Sequence, residues 1–317
     1  MSKQGSAEWK ATRDGYGTGL VKLGQMNKNV VVLSADLTES TRADWFRKEF
    51  PDRFFSFGIA EQDMMSTAAG FALSGKIPFC CTFGVFASGR AWDQLRNSVS
   101  YMNLNVNIAG THGGVLVGPD GATHQAIEEI TLTRVMPHMS VVVPADAKEA
   151  EEATIAAAFI DGPVYLRLGR EKLPTIRGCD EAFEIGKAKI IKKGKDATII
   201  ACGVMVYQAV LAEEMLKKKG IDVEIINLHT VKPLDVEAII SSAKKTGAVV
   251  TAEEHLLAGG MGSAVAEILV QQLPVPVEMI GIKDRFGESG EPWQLMKHLG
   301  LMPEDIAASV KKVLQRK

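Results

Sequence analysis

Short runs of β-branched and apolar residues recur along this chain at intervals long enough to hold a helix between them. That alternation constrains the fold more than any other feature, because it specifies α/β units on mainly parallel sheets. In the first half, Val30–Ser34, Ile77–Phe83, Val106–Ala109, Ser140–Val143 and Val164–Leu168 read as strands. Helices are expected over Asp63–Leu73, Arg90–Tyr101, Gln125–Val135 and Lys148–Phe159. Asp146 is placed to cap the last of these, with Glu149 completing a capping box.

Between Arg170 and Lys195 the periodicity fades into a polar connection carrying Pro174, Gly178, Gly186 and Gly194. Beyond it a second series begins: strand Thr198–Ala201, helix Tyr207–Lys219, strand Val223–Asn227, helix Leu234–Lys244, strand Ala248–Glu253 and helix Gly262–Gln271. Strand Val277–Ile280 and two helical stretches follow. At 317 residues the chain exceeds what one core usually holds, ~250–300 residues. Two domains are therefore expected, residues 1–175 and 195–317, with 176–194 as linker.

Composition excludes several classes of function. A net charge of -2 offers no basic face to nucleic acid. The N-terminus lacks the apolar core of a signal peptide, and no apolar run reaches the ~20 residues that cross a bilayer. Cys80, Cys81, Cys179 and Cys202 show no metal-ligand spacing. A reducing, cytoplasmic setting without membrane attachment is the expectation.

Three stretches carry chemistry. Phe57-Gly58-Ile59-Ala60-Glu61-Gln62 places a carboxylate between an extended segment and a helix rich in small residues (Ala68, Ala69, Gly70, Ala72) that admit close approach of another helix or subunit. Taken alone, Glu61 reads equally as a helix cap. Thr82-Phe83-Gly84-Val85-Phe86 ends a strand, and its phenylalanine pair reads equally as core. Thr111-His112-Gly113-Gly114 through Asp120-Gly121-Ala122-Thr123-His124-Gln125 is glycine-rich, with two histidines and an aspartate. It lacks the His-x-x-x-His spacing of a helical metal site and the Lys-Ser ending of a phosphate loop. A plain surface loop remains open for it.

From Phe54 through Arg170 these motifs resemble the pyrimidine-binding domain of the transketolase family, and Gly58-Ile59-Ala60-Glu61-Gln62 is also familiar in deoxyxylulose-phosphate synthases. The resemblance implies a thiamine-diphosphate-binding, pyrimidine-type parallel-sheet domain followed by a transketolase C-terminal-like α/β domain. It gives Glu61 a catalytic role, a hydrogen bond to the ring nitrogen of the cofactor's aminopyrimidine that promotes loss of the thiazolium C2 proton. A carboxyl desolvated against an aromatic ring suits that proton sharing. Phe83 and Phe86 would stack on the pyrimidine. Gly89 stands where many members carry another aromatic, so the platform is one ring short or rebuilt by Trp92.

By the same resemblance Asp120 would bind a substrate hydroxyl, His124 the C1 hydroxyl region of the donor and His112 the phosphate end. Arg170 in Gly169-Arg170-Glu171-Lys172, Arg13 and Ser34 would contact that phosphate, the guanidinium fork matching it through paired hydrogen bonds. No metal ligand is assigned to this chain. The Gly-Asp-Gly…Asn motif that holds Mg²⁺ or Ca²⁺ and the diphosphate in the family is not found here. The resemblance is therefore to the C-terminal subunit of a split transketolase of the pentose phosphate pathway, active in a heterotetramer with an N-terminal subunit that carries that motif. It implies transfer of a two-carbon ketol unit between sugar phosphates. The β subunit of a 2-oxo acid dehydrogenase, a deoxyxylulose-phosphate synthase-like half and a regulatory pseudo-subunit remain alternatives. Gly259-Gly260-Met261-Gly262 in the second domain could bind an anion at a helix N-terminus, and it lacks a complete dinucleotide fingerprint.

Overall fold

The computed structural model describes residues 9–176 and 182–317. Its strands are β1 (Trp9–Ala11), β2 (Val30–Ser34), β3 (Phe54–Ser56), β4 (Ile77–Phe83), β5 (Asn107–Thr111), β6 (Ser140–Val142), β7 (Val164–Arg167), β8 (Lys172–Pro174), β9 (Lys189–Lys192), β10 (Ala197–Ala201), β11 (Val223–Asn227), β12 (Thr230–Lys232), β13 (Val249–Leu256) and β14 (Val277–Ile282). The helices are α1 (Thr12–Met26), α2 (Ala43–Glu49), α3 (Glu61–Leu73), α4 (Trp92–Gln94), α5 (Glu129–Arg134), α6 (Ala147–Ala157), α7 (Val204–Lys217), α8 (Val236–Thr246), α9 (Met261–Gln272), α10 (Pro292–His298) and α11 (Pro303–Leu314).

A seven-stranded sheet runs in the order β12-β6-β7-β5-β4-β2-β3, parallel throughout except where β12 meets β6. A five-stranded sheet, β14-β13-β10-β11-β9, is parallel except for β9. The fully buried strands β2 and β10 read as nearly continuous apolar runs, as expected of parallel sheets covered on both faces. In the first sheet β3 lies to one side of β2 and β4 to the other. The chain reverses there, and the C-terminal edge at such a point is where open α/β sheets bind ligands.

Helix α1 escapes the sequence pattern because Gly15, Gly17, Gly19 and Gly24 depress its propensity and blur its 3.6-residue period. Packing explains them: a β-carbon on Gly15 would fall 1.9 Å from the Ala147 carbonyl oxygen, so glycine lets α1 lie directly on α6. The expected helix Gln125–Val135 is shorter, starting only at Glu129, because Ala126 bridges to Gly113 and the chain bends at Ile127 and Glu128. Arg90–Tyr101 is helical through α4 and two flanking π-helical turns, Phe86–Arg90 and Leu95–Ser100. Asp146 caps α6 by accepting from Glu149 N at 2.9 Å, while Glu149 reaches back to Ala145 N at 2.7 Å.

The linker expected at 176–194 contains β9, which pairs antiparallel with β11. Gly178 and Cys179 lie outside the described residues. Two features join the halves. Strand β12, from the second half, completes the first sheet, and one apolar cluster runs from Leu33, Cys80 and Ile108 to Ile200, Ile226, Val249 and Met261. Among the described residues, no helix is long and apolar enough to cross a membrane.

Candidate active site

The site forms where β2, β3, β4 and β5 end along one edge of the first sheet. Glu61 opens α3 just beyond β3 and is 1% exposed. Its surroundings are less apolar than expected, because Arg90 Nη1 donates to Glu61 Oε2 at 2.7 Å. The Arg90 guanidinium lies over the Phe86 ring, 4.4 Å from its centroid. Phe86 stacks on Phe83 at 6.1 Å, and His124 meets both rings edge-on at 5.5 and 6.2 Å. Trp92 does not rebuild the platform: it turns away and donates from Nε1 to the Leu132 carbonyl at 3.0 Å.

Phe83 stacks on its other neighbour, His112, with ring centroids 3.8 Å apart. The tautomer of His112 follows from its partners. Arg13 Nη1 can only donate, so His112 Nε2 accepts at 3.3 Å. Nδ1 then donates to Thr111 Oγ1 at 3.0 Å, and the Thr111 hydroxyl donates to the Thr82 carbonyl at 3.3 Å. Burial, followed by the charges of Arg13, Arg170 and Arg42, pushes the imidazole down to about 3. His112 is therefore a neutral ring locked in one orientation.

Beyond His112 an open cavity of about 380 Å³ is lined by Arg13, Glu39, Ser40, Arg42, Phe83, His112, Asp120 and Arg170. Arg13 also donates to the Ser40 carbonyl at 2.9 Å, and its buried Nε has no partner among the described residues. Burial and then Arg42 lower its pKa. Arg42 is held by Asp14 at 2.6 Å. Arg170 donates to the Val117 carbonyl at 3.0 Å and stands 3.7 Å from Asp120 Oδ1. Three guanidinium groups around one open cavity form a site for a doubly charged anion such as a phosphate ester.

Most of the residues singled out from sequence converge here: Glu61, Phe83, Phe86, His112, His124, Asp120, Arg13 and Arg170. Ser34 is the correction. It is fully buried at the end of β2, its hydroxyl accepts from Thr38 at 3.2 Å, and it does not line the cavity. The serine on the cavity wall is Ser40, six residues along the same loop. Ser40, Glu39, Arg42 and Arg90 were missed. Each is an ordinary polar residue whose position depends on how its loop folds, although Arg90 beside the aromatic pair was a usable signal.

The second half of the chain braces this site. Gln125 Nε2 donates to the Glu288 carbonyl at 2.8 Å. Glu254 accepts from Leu116 N at 2.8 Å, and Arg167 joins Glu129 to the Glu254 carbonyl. His255 is fully buried inside the chain and accepts from Ile130 N at 3.2 Å. The helix N-terminus at Gly259–Gly262 already holds an anion, the Glu253 carboxylate, which accepts from Met261 N and Gly262 N at 2.6 and 2.8 Å.

Comparison with known proteins identifies both halves of the chain. The family profile described as "Transketolase, pyrimidine binding domain" matches residues 9–175, and that for "Transketolase, C-terminal domain" matches 186–306. A solved structure titled "Split gene transketolase, inactive beta4 tetramer" is 50% identical, with a TM-score of 0.90 over 96% of this chain and 98% of that one. A Methanocaldococcus jannaschii protein provisionally named a transketolase C-terminal section is 45% identical, the match covering 98% of each chain. A 6-deoxy-6-sulfo-D-fructose transketolase subunit of Clostridium sp. strain MSTE9 is 41% identical over 96% of this chain and 95% of that protein.

Proposed function

The chain belongs to the transketolase family, and on that premise we propose that it is the C-terminal subunit of a split transketolase. With an N-terminal, diphosphate-binding subunit it moves a two-carbon ketol unit from a ketose phosphate to an aldose phosphate. One observation carries the reading: an unbroken line of contacts runs from the Glu61 carboxylate through Arg90, Phe86, Phe83 and His112 to Arg13 at the cationic cavity. A buried carboxylate and a cationic cavity are thus joined by one continuous row of side chains.

The residues present fit the pyrimidine half of thiamine diphosphate. A buried carboxyl beside a flat aromatic pair suits a planar, basic heterocycle, with Glu61 sharing its proton with the ring nitrogen and Phe83 and Phe86 supplying the apolar walls. When bound, the cofactor supplies the carbon nucleophile and the electron sink. The diphosphate and its Mg²⁺ or Ca²⁺ fall to the partner subunit, in a heterotetramer with sites between chains.

The remaining roles belong to the sugar. Asp120 selects a hydroxyl configuration, and His124, edge-on to the platform, holds or moves a proton at the C1 and carbonyl oxygens. His112, fixed as a neutral ring, bonds further along the chain. Arg13, Arg170 and the Ser40 hydroxyl hold the terminal phosphate. Sugar phosphates of the pentose phosphate pathway, in the cytoplasm, are the proposed substrates.

The test is reconstitution. This chain, co-purified with a partner carrying Gly-Asp-Gly…Asn, is assayed for ketol transfer with thiamine diphosphate and Mg²⁺. The expected result is activity in the mixture and none in either chain alone. Turnover by this chain alone, or by the mixture only with pyruvate and a lipoyl acceptor, overturns the reading.

A further inference from the structure

We propose that Arg90 is a placeholder for the pyrimidine ring: its guanidinium fills the recess between Glu61 and Phe86 in the chain alone and leaves when the cofactor docks. The proposal rests on the reading of Glu61 as the cofactor's carboxylate.

A guanidinium is flat and cationic and carries N–H donors in its plane, as a protonated aminopyrimidine does. Arg90 makes both contacts expected of such a ring, a face-on approach to Phe86 at 4.4 Å and a 2.7 Å donor bond to Glu61 Oε2. The two ligands exclude each other. Phe83 lies nearly parallel to Phe86, 13° apart in plane and 6.1 Å in centroid, and a third ring between them needs about 7 Å. Among the described residues, that leaves for a stacked ring the face of Phe86 under Arg90.

Physical chemistry supplies the reason for a placeholder. Glu61 is almost wholly buried, and an unpaired buried carboxylate is costly. A chain whose cofactor is held mainly by another subunit must fold before that cofactor arrives. Arg90 neutralises Glu61 in the interval and is built to let go. Its side chain is 44% exposed and sits on the π-helical turn Phe86–Arg90, a helix defect common at functional sites. Gly89 and Arg90 are both exposed, and a β-carbon on Gly89 would meet nothing within 4 Å.

The experiment uses the reconstituted two-chain complex and measures thiamine diphosphate binding by quenching of intrinsic fluorescence with Mg²⁺ present, for wild type and Arg90→Ala. Thermal unfolding of this chain alone follows for wild type, Arg90→Ala, Glu61→Gln and the double variant. The placeholder predicts cofactor binding about tenfold tighter in Arg90→Ala, ~1.4 kcal/mol, together with a lower melting temperature of the chain alone that Glu61→Gln restores. Equal or weaker cofactor binding by Arg90→Ala overturns the placeholder and leaves the role of Glu61 standing. A wild-type complex that binds no thiamine diphosphate overturns both.

Discussion

Gln125, in the loop that carries Asp120 and His124, donates from Nε2 to the Glu288 carbonyl at 2.8 Å, 163 residues further along the chain. The same nitrogen lies 3.3 Å from the Gly118 carbonyl, so one amide clamps the substrate loop on itself and onto the second half of the molecule. Domain packing thereby becomes part of how the sugar site is shaped.

Gly287 is what permits that clamp, because a β-carbon there would sit 1.7 Å from Gln125 Oε1. Gly287→Ala should displace Gln125 and cost about 1–3 kcal/mol of stability. In steady-state assays of the reconstituted enzyme, KM for the ketose phosphate should rise severalfold while kcat changes less. An unchanged KM would show that the clamp does not shape the site.

Glu61→Gln keeps the size and a hydrogen-bonding group and removes the exchangeable proton. The reconstituted variant should lose about 10²–10⁴-fold in kcat, while far-UV circular dichroism of the chain matches wild type. Near-wild-type turnover would remove Glu61 from the mechanism.

Ser40 and Ser34 separate a cavity residue from a core residue. Ser40→Ala should raise KM for phosphorylated substrates a fewfold, and Arg170→Ala tenfold or more, as a hydrogen bond to a charged group is worth about 1.5–3 kcal/mol. Ser34→Ala should leave KM unchanged and lower the melting temperature instead, since it deprives Thr38 of a buried acceptor. Unphosphorylated sugars should show almost none of the Ser40 or Arg170 effects.

Stability should depend on pH in a particular shape. Burial pushes His112, His229 and His255 down to about 3, so below the unfolded value near 6.5 the unfolded chain binds up to three more protons. That contribution to stability is present above 6.5 and lost as pH falls towards 3. Burial pushes Glu253 and Glu254 up to about 7, so their folded forms bind the extra protons between about 4.5 and 7, and stability falls as pH rises through that window. Between 4.5 and 6.5 the two carboxyls offset two of the three histidine protons, and below 4.5 the histidines act unopposed. Urea unfolding across pH 3.5–7.5 should show a gentle profile above 4.5 and a steep fall beneath it. His229→Gln should reduce the acid slope by about one proton.

Much of the layout was legible from periodicity. Val223–Asn227 is the strand expected, and α6 carries the expected Asp146 cap. Helix α1 was not legible, because its glycines serve contact with α6 and contradict helix propensity. Nor was β12, whose three residues carry no period and gain strand geometry only by pairing with β6. Ser34 looked suitable beside a loop, but β2 continues through it and buries the side chain.

The α/β class, the carboxylate ahead of a helix, the aromatic pair and the Asp-Gly-Ala-Thr-His-Gln loop are readable in the chain as written, because they are local patterns of residue type and spacing. Folding in three dimensions sets which of them meet at one sheet edge, pairs Arg90 with Glu61, turns Ser40 and not Ser34 to the cavity, and brings residues 287–288 against the substrate loop. Those outcomes depend on contacts between residues far apart in the chain, where packing and buried hydrogen bonds override local propensity.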